Sequence, residues 1–196
     1  MSQFKRIAVY CASSESVDQS FKDRARDLGS FLASQGIEVV YGGGGVGLMN
    51  QVAEGALNAS GRVIGVIPKK LNDLELGRTD LSELHIVDSM HQRKAKMAEL
   101  ADGFIAMPGG FGTLEEIFEV TTWTQLRYHL KPVGLLNVNG FYDHILAFLQ
   151  HAVAQGFIRE LHKDLLLADT DPERLLVRMA RSKVPALNDW IPKRES

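Results

Sequence analysis

Residues Ile37 to Ile67 read IEVVYGGGGVGLMNQVAEGALNASGRVIGVI, and this stretch decides the fold class. Ile37 to Tyr41 is a short apolar, β-branched run, Gly42 to Gly45 interrupts it, Leu48 to Leu57 has the character of an apolar helix, and Arg62 to Ile67 is a second apolar run that ends at Pro68. Strands that are nearly continuous in apolar residues and are joined by a helix belong to a parallel sheet covered on both faces. The flanking sequence keeps the rhythm. Arg6 to Cys11 (RIAVYC) reads as a buried strand ending in the turn-like Ala12-Ser13-Ser14. Phe21, Ala25, Leu28, Phe31 and Leu32 then recur at helical spacing until Gly36.

Downstream, residues 69 to 84 have no clean period and are expected to form a polar excursion, after which His85 to Val87 leads into a helix beginning near Ser89. Gly103 to Met107 reads as a strand, Thr113 to Leu126 as a helix, Val133 to Asn137 as a strand and Tyr142 to Ala154 as a helix. Leu165 to Leu167 offers a short further strand, and Asp171-Pro172 an N-cap and first position for a final helix. The expected architecture is doubly wound α/β, with residues 1 to 196 forming a single nucleotide-binding domain. In such sheets ligands bind beyond the carboxyl ends of the strands. That rule selects the loops Ala12 to Ser14, Gly42 to Gly45, Pro68 onward and Pro108 to Gly112.

Bulk properties narrow the partners. A formal net charge of −2 and a pI near 6.3 give no general attraction for nucleic acid or an anionic membrane, so any phosphate recognition must be local. The sole cysteine, Cys11, cannot form an intramolecular disulfide, and the sequence has no Cys/His zinc pattern. No apolar run approaches the ~20 residues of a membrane span, and the first residues lack a signal peptide's apolar core. A cytoplasmic location is expected.

Three segments carry chemistry. Tyr41 to Met49 is a glycine-rich strand-to-helix turn at which backbone amides could meet a phosphate, although it lacks the Gly-Lys-Ser/Thr ending of a P-loop. The alternative reading is a tight turn with close helix–sheet packing. The second segment, Pro108-Gly109-Gly110-Phe111-Gly112-Thr113-Leu114-Glu115-Glu116, follows a buried strand directly. Its glycines make an open anion-binding turn, Thr113 could cap the helix or donate to phosphate, and Glu116 shares Thr113's face at i,i+3. A simple capping box between Thr113 and Glu116 is the competing account. In the third segment, Ser89 to Lys94, Arg93 falls within an apolar stripe of Met90, Met97, Leu100 and Ala101. An inward arginine needs an anion, either a structural carboxylate or a ligand phosphate. Lys94 borders the stripe and could equally snorkel to the surface. His91 has no such argument and reads as structural.

Together these residues resemble the LOG (Lonely guy) family, formerly described as lysine decarboxylases. Its hallmark Pro-Gly-Gly-x-Gly-Thr-x-x-Glu matches residues 108 to 116 without a gap, its Met-x-x-Arg-Lys element matches Met90 to Lys94, and its Tyr-Gly-Gly-Gly turn matches Tyr41 to Gly44. The resemblance runs from the first strand to about Tyr142. It implies a Rossmann-like fold, a homodimer, and hydrolysis of the N-glycosidic bond of a cytokinin riboside 5′-monophosphate or AMP to free base and ribose 5-phosphate. Carried over by residue, Arg93 and Glu116 are catalytic. Glu75, Met90, Lys94, Gly109, Gly110, Phe111, Gly112, Thr113, Leu114, Glu115 and Thr122 are expected to bind substrate, with Ser13, Gly43 and Gly44 completing the set. Arg93 could anchor the nucleotide or hold Glu116 ionised. No metal or redox cofactor is implied.

Two other functions compete. Molybdenum cofactor carriers share this loop arrangement, so a noncatalytic nucleotide or cofactor carrier is the alternative, against which Glu116 with Arg93 favours an enzyme. Pyridoxal phosphate decarboxylation needs a Schiff-base lysine and a partner for the pyridinium nitrogen, and the sequence offers neither.

Overall fold

The computed structural model describes residues 4–74 and 77–186. Strands β1 (Arg6–Tyr10), β2 (Glu38–Tyr41), β3 (Val63–Pro68), β4 (Glu83–Val87), β5 (Gly103–Ala106), β6 (Val133–Leu136) and β7 (Leu166–Asp169) form one parallel sheet in the order β4-β3-β2-β1-β5-β6-β7. The helices are α1 (Gln19–Ser34), α2 (Gly47–Asn58), the short α3 (Lys69–Asn72), α4 (Met90–Leu100), α5 (Phe111–Gln125), α6 (Asp143–Ala154) and α7 (Pro172–Arg181).

Alternation along the strands builds two cores. Ile7, Val9, Val39, Tyr41, Val63 and Ile105 face α1, α2 and α7, whereas Ala8, Tyr10, Val40, Ile64, Val66 and Phe104 face α4 and α5. Every residue of β3 is buried, as its unbroken apolar run requires. Helix starts follow their caps: Asp18 accepts from the Ser20 amide, Ser89 from Gln92, and Asp171 from Arg174. β1 is central, with β2 in register on one side (Ile7 opposite Val39) and β5 on the other (Ile7 opposite Gly103). Chain progression therefore reverses between β1 and β5. In open α/β sheets ligands bind beyond the strand ends at such a reversal point.

Two expectations need correction. The excursion at 69 to 84 contains α3, and its last residues are not loop: β4 starts at Glu83 and pairs with β3 from Ile64 opposite Glu83 to Pro68 opposite Val87. As an edge strand it leaves Glu83, Leu84 and Ile86 exposed, so it lacks the apolar run that marks the inner strands. The second correction concerns α5, which begins at Phe111 with Gly110 at its N-cap. Thr113 is therefore already inside the first turn, and the capping-box account of Thr113 and Glu116 does not apply.

Candidate active site

α4 turns two cations inward. Arg93 and Lys94 are 8% and 7% exposed on the side facing the sheet and α5. The Arg93 guanidinium donates from Nε to the Val66 carbonyl at 3.2 Å and from Nη1 to Oε1 of Glu116. Glu116, 7% exposed, lies just inside α5, so the inward arginine finds its anion within the protein. Burial pushes the Glu116 carboxyl above the ordinary carboxylate range, and the Arg93 charge opposes this without cancelling it. The result is a carboxylate that is costly to ionise, held by one guanidinium.

Lys94 is a buried, paired cation rather than a snorkelling one. It donates to Glu115 and, at 3.0 Å, to Glu119. Burial depresses its ammonium, but the hydrogen bonds to Glu115 and Glu119 outweigh that and raise its pKa overall. Tyr10 and Cys11, at the end of β1, are pushed up by burial and further by the Glu116 charge. Neither is a ready proton acceptor at neutral pH.

Above this pair stands the N-terminus of α5. Gly110, Phe111 and Gly112 are exposed, no side chain caps the helix, and its first turn holds no acidic residue. The amides of Phe111, Gly112 and Thr113 have no intrahelical acceptor, and the dipole of a 15-residue helix ends on them. A Cβ at Gly110 or Gly112 would meet nothing within 4 Å, whereas one at Gly109 would lie 2.1 Å from Thr113 Oγ1. Thr113 is thus tucked against Gly109, 4% exposed, and the space beside Gly110 and Gly112 is open. A helix start with free amides, no side-chain cap and no acidic residue in its first turn favours a negative charge.

The other glycine-rich turn is not built this way. Two first-turn amides of α2, those of Leu48 and Met49, donate to the Ala12 carbonyl at 2.9 and 3.3 Å. Gly44 pairs with Gly77, Arg78 donates its amide to the Gly43 carbonyl at 3.0 Å, and both glycines are buried. Gly43 and Gly44, expected as phosphate contacts, are buried, and the Gly43 carbonyl accepts from within the chain. The tight-turn reading fits this segment. Gly47, at φ +59°, allows the close approach: a Cβ there would fall 2.5 Å from the Ser13 carbonyl carbon.

A family model described as "possible lysine decarboxylase" matches residues 49–179. The cytokinin riboside 5′-monophosphate phosphoribohydrolase LOG1 of Arabidopsis thaliana is 45% identical over 194 residues, covering 99% of this chain and 87% of that protein. The chain belongs to the LOG family. A second relative, the probable phosphoribohydrolase LOGL9 of Oryza sativa subsp. japonica, is 47% identical over 97% of this chain and 81% of its own. Among solved structures, the molybdenum cofactor binding protein of Rippkaea orientalis superposes with a TM-score of 0.64 at 24% identity, over 86% of this chain and 90% of that one. The molybdenum cofactor carrier protein of Chlamydomonas reinhardtii gives 0.66 at 20%, over 90% and 96%. At that identity the likeness establishes a shared Rossmann-type fold.

Not every residue expected to bind substrate in this LOG-family chain converges on the Arg93–Glu116 pair. Glu75 lies outside the described residues. Met90, at the start of α4, is 47% exposed and so leaves the apolar stripe, while Ser13 is exposed in the loop after β1. Phe111, 95% exposed, projects from the start of α5, Leu114 is half-buried one turn in, and Glu115 is held by Lys94. Thr122 stands apart, in a cavity of about 670 Å³ between α5 and α6, and its hydroxyl donates to the Phe118 carbonyl at 2.8 Å. Sequence reasoning overlooked Glu119, although its i,i+4 spacing from Glu115 could have revealed a paired clamp on Lys94. The Val66 and Ala12 carbonyls left no signal, because backbone acceptors are selected by the fold and not by residue type.

Proposed function

We propose that this chain is a phosphoribohydrolase that cleaves the N-glycosidic bond of a purine nucleoside 5′-monophosphate, AMP or a cytokinin riboside 5′-monophosphate, with water as the acceptor. The observation that carries the reading is the buried Glu116 carboxylate, fixed by Arg93 beneath the uncapped N-terminus of α5. The 5′-phosphate takes the amides of Phe111 to Thr113, which brings the ribose over the carboxylate. As the bond from C1′ to the base nitrogen lengthens, its electron pair leaves with the base and positive charge grows on the ribosyl ring. Glu116 stabilises that charge, orients the water that attacks C1′ and accepts its proton; the departing base takes up a proton from solvent, and Glu116 returns its own to solvent, which restores the carboxylate. Binding energy from the phosphate is converted into correct placement of the sugar. Arg93 keeps Glu116 ionised and oriented, the second of the two roles open to it.

Supporting this reading over a pyridoxal decarboxylase is the state of Lys94. Schiff-base formation needs a neutral amine, whereas Lys94 is held protonated by Glu115 and Glu119. The relatives that match along nearly the whole chain are named as phosphoribohydrolases, which supports hydrolysis over a noncatalytic carrier. Among the described residues no group of three or more His, Cys, Asp or Glu could hold a metal ion, and no helix is long and apolar enough to cross a membrane. We read the protein as a cytoplasmic homodimer of one-domain subunits, with the second copy covering the exposed apolar side of α6. The test is incubation with AMP: adenine and ribose 5-phosphate should appear in equal amounts, unaffected by chelators. Tight binding of AMP without release of adenine would overturn the hydrolase in favour of a carrier.

A further inference from the structure

The glycine-rich turn after β2 is buried and covered by Gly77 and Arg78, which leaves open why position 42 carries no side chain. Backbone conformation does not require it. Gly43 and Gly47 adopt φ of +75° and +59°, where side chains are strained, but Gly42 lies outside the left-handed region. Space does require it. A Cβ on Gly42 would sit 2.0 Å from Nη2 and 3.1 Å from Cζ of Arg93, and its next contact is Met49 Sδ at 3.2 Å. The guanidinium that holds Glu116 therefore points its Nη2 end at the bare Cα of Gly42, with its Nε on the Val66 carbonyl and its Nη1 on the carboxylate.

We propose that Gly42 is a positioning residue for the reaction, the empty side of its Cα being the slot in which the Arg93 guanidinium reaches Glu116. The family's glycine-rich turn then serves the chemistry through a side chain and not through phosphate. The slot is bounded at two points: the Val66 carbonyl in β3 accepts from Nε, and the backbone of Gly42, just after β2, limits how far the Nη2 end can reach. Adding a methyl group at position 42 would demand that Nη2 withdraw by roughly 1.5 Å to restore ordinary contact. Both atoms it meets, the tip of Arg93 and the Met49 sulfur, are ends of flexible side chains, so the fold can absorb the change while the guanidinium is displaced.

The kinetic part of the test rests on the hydrolase reading, so a second measurement independent of turnover accompanies it. In Gly42→Ala, kcat for AMP should fall ~10-fold or more while KM stays within about twofold, since a misplacement of about 1 Å can cost that much and the phosphate site is untouched. Carboxyl ¹³C NMR should show Glu116 titrating about one unit higher than in the parent, because an opposite charge has moved away. In an Arg93→Ala background, Gly42→Ala should change neither kcat nor the Glu116 titration, as expected if Gly42 acts only through the guanidinium. Unchanged kcat in the single variant, an unmoved Glu116 titration, or a further loss in the Arg93→Ala background would each overturn the proposal. Should Gly42→Ala fail to fold, the double variant decides: refolding when Arg93 is removed supports the slot, and persistent unfolding means that the glycine serves the backbone. If the parent releases no adenine from AMP, the hydrolase reading fails while the titration still tests the slot.

Discussion

Glu116 carries its charge in a place that penalises charge. Burial raises its pKa, and the charges of Arg93 and, less, Lys94 oppose this without cancelling it, so the carboxylate is more basic than an exposed one, the direction that favours a proton acceptor. Glu116→Gln removes the charge and leaves an amide oxygen to accept from Arg93 Nη1, so the fold should persist. For that variant kcat should fall by ~10²-fold or more with AMP affinity little altered. Circular dichroism and AMP titration establish the folded, binding-competent state, and a near-normal kcat would end the catalytic assignment. The pH dependence follows from the same shift. Activity needs the ionised carboxylate, whose pKa lies above the ordinary value of 4.5, so kcat/KM should decline on the acid side at a pH above that value. A profile flat down to pH 4.5 would contradict it. In Arg93→Lys the same limb should move only slightly, since a cation remains, and in Arg93→Ala it should move to higher pH. That Arg93 faces inward was legible from its place in a helical stripe, but its partner was not. Glu116 lies 23 residues away, and only the packing of α4 against α5 distinguishes a protein carboxylate from a ligand phosphate as the anion.

Two helices in this fold begin after glycine-rich turns at the carboxyl ends of the strands, and only one presents its amides. α2 spends two first-turn donors on the Ala12 carbonyl and has its turn covered by Gly77 and Arg78, whereas α5 begins with no side-chain cap and with Gly110 to Gly112 exposed. In sequence the two turns look alike. The difference comes from loops brought in from elsewhere, the one after β1 and the one before β4, which no local pattern encodes. The parallel strands, by contrast, were legible because burial on both faces forces unbroken apolar runs, and β4 escaped because an edge strand is free of that demand. The prediction at this scale separates the two turns. Gly110→Ala has a backbone of ordinary φ (−91°) and open space around the new methyl, so thermal stability should hardly change. That methyl stands where the phosphate approaches, so KM for AMP should rise ~10-fold or more, in line with the loss of charge-assisted amide contacts. Adenosine, which lacks the anion, should be a poor substrate of the parent and should be nearly indifferent to the substitution. Equal kcat/KM for adenosine and AMP would remove the phosphate role of α5.

At the scale of the whole molecule, α6 is the least packed of the long helices among the described residues. α6 is the sequence DHILAFLQHAVA, yet only Ala152 of its twelve residues is buried, Phe148 is 64% exposed and the nearby Phe157 88% exposed. Beneath it Leu146, Leu149 and Val153 line the cavity of about 670 Å³ shared with α5. A helix of this length is marginal by propensity alone and takes its stability from burying an apolar face, so a face this apolar needs a cover. A second copy of the chain, related by a two-fold axis, would bring two such faces together and bury each Phe148 against its counterpart's surface. On that account the parent should sediment at twice its 21.7 kDa subunit mass. Phe148→Asp should weaken association by roughly 10² to 10⁴-fold, the effect of losing about 1.5–3 kcal/mol of aromatic burial on each side of the axis. Because the side chain is exposed in the single chain, the substitution should leave the circular dichroism spectrum of the subunit unchanged. Sedimentation equilibrium across a dilution series distinguishes the outcomes. A parent that is monomeric at every concentration removes the dimer, and a Phe148→Asp variant that stays as tightly associated as the parent moves the interface away from α6.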